Sequence, residues 1–321
     1  MKKAALIIAT ILLVAGLIIG FVALASAKFN FHAFETASLE LKDYPVEAEF
    51  RGIEIHGNTE IIRFERSSDG TAHVQCRETK RNTHTVEAEN GTLKIVSEET
   101  SGWRNPIEIS FEKEQITVFL PKDAYETLAI DTHTGDTDIP EWLRFGSVSI
   151  RTSTGDVRSR ASVSGEISIE SDTGDIFLDD LSADAIGCRV STADVWMQNI
   201  ACAGDVYVKV STGRTTLNGL TAKNFTSEGS TGDLSLENVR IDGAISIDRS
   251  TGDVTFNGSD AAEIMVKTST GDVTGTLLSE KLFKTESSTG DVHVPFCTSG
   301  GKCEITTSTG DIVVRIADGT K

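Results

Sequence analysis

One motif, Thr-Gly-Asp, limits what this chain can fold into, because it returns at a spacing of only 19 or 20 residues from mid-chain to the end. Its glycine position falls at Gly135, Gly155, Gly174, Ala193, Gly213, Gly232, Gly252, Gly271, Gly290 and Gly310. Threonine precedes it in all ten copies, from Thr134 to Thr309, and aspartate follows in all but one, where Arg214 stands. A fixed period of this length marks a repeat architecture, in which each unit buries its apolar face against its neighbours.

Within one repeat the apolar residues alternate with polar ones, which is strand periodicity. Two and four places after the glycine come pairs such as Ile176 and Leu178, or Val254 and Phe256. Seven and five places before it come Val148 and Ile150, or Ile245 and Ile247. A further apolar residue seven places after many glycines (Leu181, Ile200, Leu220, Val239, Leu278) is expected to turn inward at a corner. The unit is too short for a helical crossover, so equivalent strands are expected to stack in parallel, coil upon coil. A propeller blade needs about 40 residues, and hairpins need a turn signal between strands. The expected fold is all-β: a parallel β-solenoid of about ten coils, on the order of 45 Å long at ~4.8 Å per coil, preceded by an irregular β-domain and an N-terminal transmembrane helix.

Residues 4–27 are uncharged and mainly apolar behind Met1-Lys2-Lys3, long enough to cross a bilayer as a helix. The lysines place residues 1–3 in the cytoplasm and everything after Lys28 outside. The competing reading is a cleaved signal peptide, since Ala25-Ser26-Ala27 fits the small-residue cleavage pattern. Residues 28–125 alternate without the period, for example Ile53 and Ile55, and Asn90-Gly91 reads as a hairpin turn. This region is expected to cap the first coil of the rod, residues 126–321. At the far end Ile312, Val314 and Ile316 are expected to form the last edge. The formal charge is −18, which argues against nucleic acid as a partner.

The N-terminal span, the irregular β-region ending in a proline, and Leu128-Ala129-Ile130-Asp131-Thr132 running into Thr134-Gly135-Asp136 resemble a bacterial family. It is the "putative adhesin" family of β-strand-repeat proteins of unknown function, grouped with the toast-rack domains of membrane-stress proteins. The resemblance implies a membrane-tethered extracytoplasmic module linked with cell-envelope stress signalling, and carries no catalytic residues. Ala193 and Arg214 depart from its motif.

Stacking puts the aspartates in a column, where neighbours ~5 Å apart in water repel by about 0.8 kcal/mol each. Something must offset this. Either each carboxylate accepts backbone N–H bonds in its own turn, or neighbouring carboxylates bind calcium or another hard cation, with Asp233, Asp253, Asp272, Asp291 and Asp311 as candidate ligands. Arg214 relieves repulsion under both readings. The threonines share the parity of the inward residues, so they are expected to form a hydroxyl ladder inside the corner rather than an ice-matching outer face. Of five cysteines, Cys188 and Cys303 take inward positions, and Cys297 with Cys303 are placed to close a disulfide across a corner in an oxidising compartment. Enzymes built on β-helices break their repeats with long loops, whereas this spacing never departs from 19 or 20. The expected role is therefore non-enzymatic and without a cofactor: binding, sensing or scaffolding at the envelope with a protein partner. The alternative is a cation- or glycan-binding surface adhesin.

Overall fold

The computed structural model describes residues 13–16, 18, 39–79, 81–99 and 113–317. Each repeat contributes a strand before its glycine and a strand after it, as in Arg144–Thr154 and Val157–Ser159 around Gly155. The strands before the glycines form one parallel sheet and those after them a second. Registers are in step with the sequence period. In the first sheet Val148, Ile167, Ile186, Val206, Phe225, Ile245 and Ile264 stand one above another. In the second, Val157, Ile176, Val195, Thr215, Leu234, Val254 and Val273 do the same.

The inward faces of the two sheets close on a single apolar core running the length of the stack. Leu181, Ile200, Leu220 and Val239 turn into it at the second corner, while Leu277 rather than Leu278 fills that place in the Gly271 coil. That corner needs a left-handed residue, supplied by Asp180, Asn199, Gly219, Asn238 and Gly258, all residue types that tolerate positive φ.

The N-terminal strands extend both sheets. They are β1 (Glu40–Val46), β2 (Gly52–His56), β3 (Ile61–Arg66), β4 (Ala72–Glu78), β5 (Asn82–Glu89), β6 (Thr92–Glu99) and β7 (Gln115–Leu120), followed by β8 (Ala124–Thr134) and β9 (Thr137–Ile139) of the Gly135 coil. Strands β2 and β3 make a coil directly against β8 and β9, and β6 and β7 lie beyond them. Antiparallel β5 then closes the first sheet, turning at Asn90-Gly91 as its positive φ values require, and antiparallel β4 and β1 close the second.

The far end departs from the expected order. Gly301–Thr309 pairs with Val254–Thr270 on one side and Lys281–Thr289 on the other, and Ile312–Ile316 lies likewise between Val273–Leu277 and Val292–His293. The Gly310 coil is thus inserted beneath the Gly290 coil. Ile312 and Val314 are buried, and the outer edge belongs to residues 281–293. The reason is packing: Cys303, Ile305, Ile312 and Val314 fill an inner coil, whereas the Gly290 coil offers Phe283, Thr285, Val292 and Val294 at the corresponding positions, with the polar Thr285 where the inner coil has Ile305.

The expected transmembrane helix over 4–27 falls largely outside the described residues, of which 13–16 and 18 are helical. Among the described residues no helix is long and apolar enough to cross a membrane.

Candidate functional site

The aspartate column exists, and its carboxylates are engaged between coils rather than within their own turns. At nine of the ten repeats the glycine has φ between 130° and 151°. Its carbonyl faces the next glycine so closely that a Cβ on Gly155 would lie 2.2 Å from the oxygen of Gly135. The amide after each glycine therefore bonds elsewhere, and the aspartate one coil below supplies the acceptor. Asp156 donates its N–H to Asp136 Oδ1 at 3.1 Å, Asp175 to Asp156 at 3.0 Å and Asp194 to Asp175 at 2.9 Å. Arg214 donates to Asp194 Oδ1 at 2.6 Å, but its guanidinium has no acceptor to offer the next coil. The run resumes with Asp253 on Asp233, Asp272 on Asp253, Asp311 on Asp272 and Asp291 on Asp311. The insertion therefore places Asp311 between Asp272 and Asp291.

Each amide dipole offsets part of the repulsion along the column, and one oxygen of each engaged carboxylate is already committed. Asp253→Asn keeps an acceptor oxygen and is expected to stay within about 0.5 kcal/mol of the parent stability. Asp253→Ala loses the bond and about 1 kcal/mol. Denaturant melts of both variants in excess calcium and in chelator are expected to overlay. A calcium-dependent rise in the parent protein that Asp253→Asn removes would instead make the column a cation site.

The threonines do not line the corner; all ten, from Thr134 to Thr309, are exposed. Threonine stands outward because the registers run from Thr152↔Ser171 directly to Thr154↔Thr173, leaving Ser153 and its equivalents out of the pairing. That extra residue reverses the side on which threonine stands. The inward polar place is three before the glycine, at Thr132, Thr152, Ser171, Thr268 and Thr307, and Arg249 occupies it in the Gly252 coil.

In the structure all five cysteines are free, and Cys297 is not joined to Cys303. Cys303 is fully buried in the inserted coil, and burial pushes its thiol up to about 12. Cys297 lies partly exposed on the link that carries the chain from the outermost coil back to the inserted one.

Two features escaped the sequence reading. In the first eight repeats the outward position four before the glycine carries Asp131, Arg151, Glu170, Arg189, Lys209, Glu228, Asp248 and Lys267 in register. Ion pairs join Arg151 to Glu170 at 2.8 Å and Lys209 to Glu228 at 3.4 Å, and Arg189 lies 5.1 Å over the Tyr207 ring. This column walls a shallow groove of about 770 Å³. The same period that revealed the aspartates would have revealed it.

The second is a buried polar cluster in the cap. His84 on β5 places Nδ1 3.1 Å from Glu78 Oε1 on β4, and Nε2 3.2 Å from Glu60 Oε1. All three side chains are inaccessible to within a percent. Glu78 also accepts from the Tyr44 hydroxyl at 2.5 Å and pairs with Lys42 Nζ at 2.6 Å. Glu60 further accepts from Ser97, Asn82 and the amide of Asn58. Burial pushes the Glu60 carboxyl up, but these donors outweigh it and hold it at about 2. Burial likewise pushes His84 down, and its two carboxylates outweigh that and raise it. The cluster joins residues scattered from 42 to 97, with no periodic signal to connect them.

The family model of the Toastrack DUF4097 family matches residues 50–206 and 201–321. No curated protein matches the chain. Among solved structures it is similar to a "putative adhesin" from Parabacteroides merdae, with 11% identity, 88% of this chain and 97% of that one covered, and a TM-score of 0.48. It is also similar to a "putative lipid binding protein" from Parabacteroides distasonis, with 13% identity, 88% and 99% coverage, and a TM-score of 0.49. A "putative adhesin" from Bacteroides fragilis gives 17% identity, 86% and 96% coverage, and a TM-score of 0.36. The family match spans the capping strands from β2 onward and the whole stack of Thr-Gly-Asp coils, and on it the chain belongs to the Toastrack DUF4097 family.

Proposed function

We propose that this protein is a membrane-tethered, extracytoplasmic, non-enzymatic binding or scaffold module of the cell envelope that engages a protein partner at the open end of its rod. The observation that carries this is the outer edge at residues 281–293. Among the described residues its two strands pair on one side only. Leu282, Val292 and Phe296 beside them are 47%, 40% and 94% exposed. Unpaired strand edges are managed or used, and an extended segment of another protein satisfies such a row of amides and carbonyls by strand addition. The apolar residues 4–27 behind Lys2 and Lys3 support tethering at the opposite end of the chain.

The test places a photo-crosslinker at position 296 of the full chain in intact cells, with a second at Ser153 on a lateral corner. One defined protein adduct at 296, absent at 153 and lost on Leu282→Lys, is the expected result. Equal labelling at both positions, or protection of the β-domain from protease added outside the cell, overturns the reading. The glycan-adhesin alternative draws support from the groove beside Arg189 and Tyr207, since an aromatic ring among paired charges suits a sugar. Retention of envelope polysaccharide by the purified chain, lost on Tyr207→Ala, would favour it.

A further inference from the structure

We propose that Cys76, Glu78 and His84 form a binding site for one zinc ion inside the N-terminal cap. The thiol, carboxylate and imidazole atoms of these residues all lie within 4.8 Å of one another, and all three residues are buried. Cys76 and Glu78 point the same way from β4 because they are two apart on a strand. Strand β4 belongs to the second sheet and β5, which follows it in the chain, to the first, and this places His84 across from them.

The donor set suits zinc. A thiolate, an imidazole and a carboxylate are its usual ligands, with bonds of about 2.0–2.3 Å, so ligand atoms around a tetrahedral ion stand ~3.3–3.6 Å apart. The His84–Glu78 edge, at 3.1 Å, is within a few tenths of an ångström of that separation. The longest edge, at up to 4.8 Å, must contract by about 1.2–1.5 Å. Three protein ligands leave a fourth position for water.

A second observation points to the same ion. Metal-binding histidines hold their other ring nitrogen against a carboxylate, which fixes the tautomer, and Glu60 does this at His84 Nε2, itself fixed by Ser97, Asn82 and Asn58. The nitrogen left for a metal is Nδ1, the one facing Glu78. Without metal, a proton must occupy the Nδ1–Glu78 contact, and among the described residues the wholly buried Cys76 thiol has no hydrogen-bond partner. Zinc in place of the His84 Nδ1 proton and the Cys76 thiol proton leaves the charge unchanged. Access runs past Lys42 on the edge strand β1, which stands opposite Cys76 in the register and is 45% exposed.

The test titrates the chelator-treated full chain in detergent with Co²⁺ and then Zn²⁺. One equivalent of Co²⁺ is expected to give a thiolate-to-metal absorption band that Zn²⁺ abolishes. Cys76→Ser removes the band, His84→Gln weakens binding at least tenfold, and Glu60→Gln keeps the band while weakening affinity roughly 10–100-fold. Cys297→Ser, at the partly exposed cysteine, changes nothing. A parent protein without the band, a band surviving Cys76→Ser, or a band lost on Cys297→Ser overturns the proposal. Mass-spectrometric mapping of thiol alkylation decides it in the unsubstituted chain, should a variant fail to fold: zinc slows labelling at Cys76 alone if the site exists, and leaves Cys76 unprotected if it does not.

Discussion

Gly252→Ala is expected to destabilise the protein by about 3–5 kcal/mol. Two constraints meet at this position. Gly252 has φ of +139°, which L side chains rarely adopt, and a Cβ there would lie 2.0 Å from the carbonyl oxygen of Gly232 and 2.5 Å from its carbon. Neither obstacle is a flexible side chain that could move aside. Separating the coils would break the bonds from Asp253 to Asp233 Oδ1 and from Gly232 to Thr251. Gly187→Ala is the control, because a Cβ there meets only Glu166 Oε1 at 3.9 Å, and it should stay within about 1 kcal/mol of the parent protein. Chemical denaturation of the two variants side by side checks the claim. A loss below about 1 kcal/mol for Gly252→Ala would mean that the corner is not held by close approach. Ala193 shows how the chain manages without the glycine, since it is absent from the positive-φ residues of the described chain.

Arg249→Ala is expected to cost about 3–5 kcal/mol, whereas Arg249→Met should recover at least about 2 kcal/mol of that loss. Arg249 is among the largest fully buried side chains of the described chain. Its guanidinium reaches across two coils to the carbonyl of Gly232 at 3.0 Å, Ser227 Oγ at 3.0 Å and Thr215 Oγ1 at 3.1 Å. No carboxylate touches it, and burial lowers it to about 10 despite the field of Asp233. Alanine would leave both a void and stranded acceptors, while methionine refills the volume without a buried charge. Gly229 makes the room: a Cβ there would stand 2.8 Å from Arg249 Nη1. Gly229→Ala should therefore be less damaging beside Arg249→Ala than alone, which a double-mutant cycle by denaturation would detect. Full additivity would show that glycine and arginine are not packed as a pair.

The lateral structure of the rod was legible because period and alternation act together. Ile176 and Leu178, or Val148 and Ile150, could only be inward once their strands were placed, and they are. The aspartates were legible as a column, but their hydrogen-bond partners were not, because a glycine carbonyl aimed at its neighbour is a property of φ rather than of residue order. Threonine was misread for a related reason: nothing in Ser153-Thr154-Gly155 marks the serine as the residue that drops out of register. The ends were least legible. A repeat specifies what each coil is and says little of which coil lies outside, so the exchange of the Gly290 and Gly310 coils rests on small differences in how apolar each one is. The cap cluster combines Lys42, Tyr44, Glu60, Glu78, His84 and Ser97 from separate strands, and only the fold brings them together.

The inserted last coil also fixes an order of events as the chain is made. Residues 281–293 precede in the chain the strands they rest upon, and in the folded protein 301–316 lie between them and the Gly271 coil. Growth of the stack by simple addition therefore stops at Gly271. The final step is a two-strand closure that needs the chain's last described residues, Ala317 included, whose amide donates to Leu277 at 2.7 Å. A chain truncated before Gly301 is expected to leave the edge of the Gly271 coil and residues 281–293 without the strands that pair with both of them.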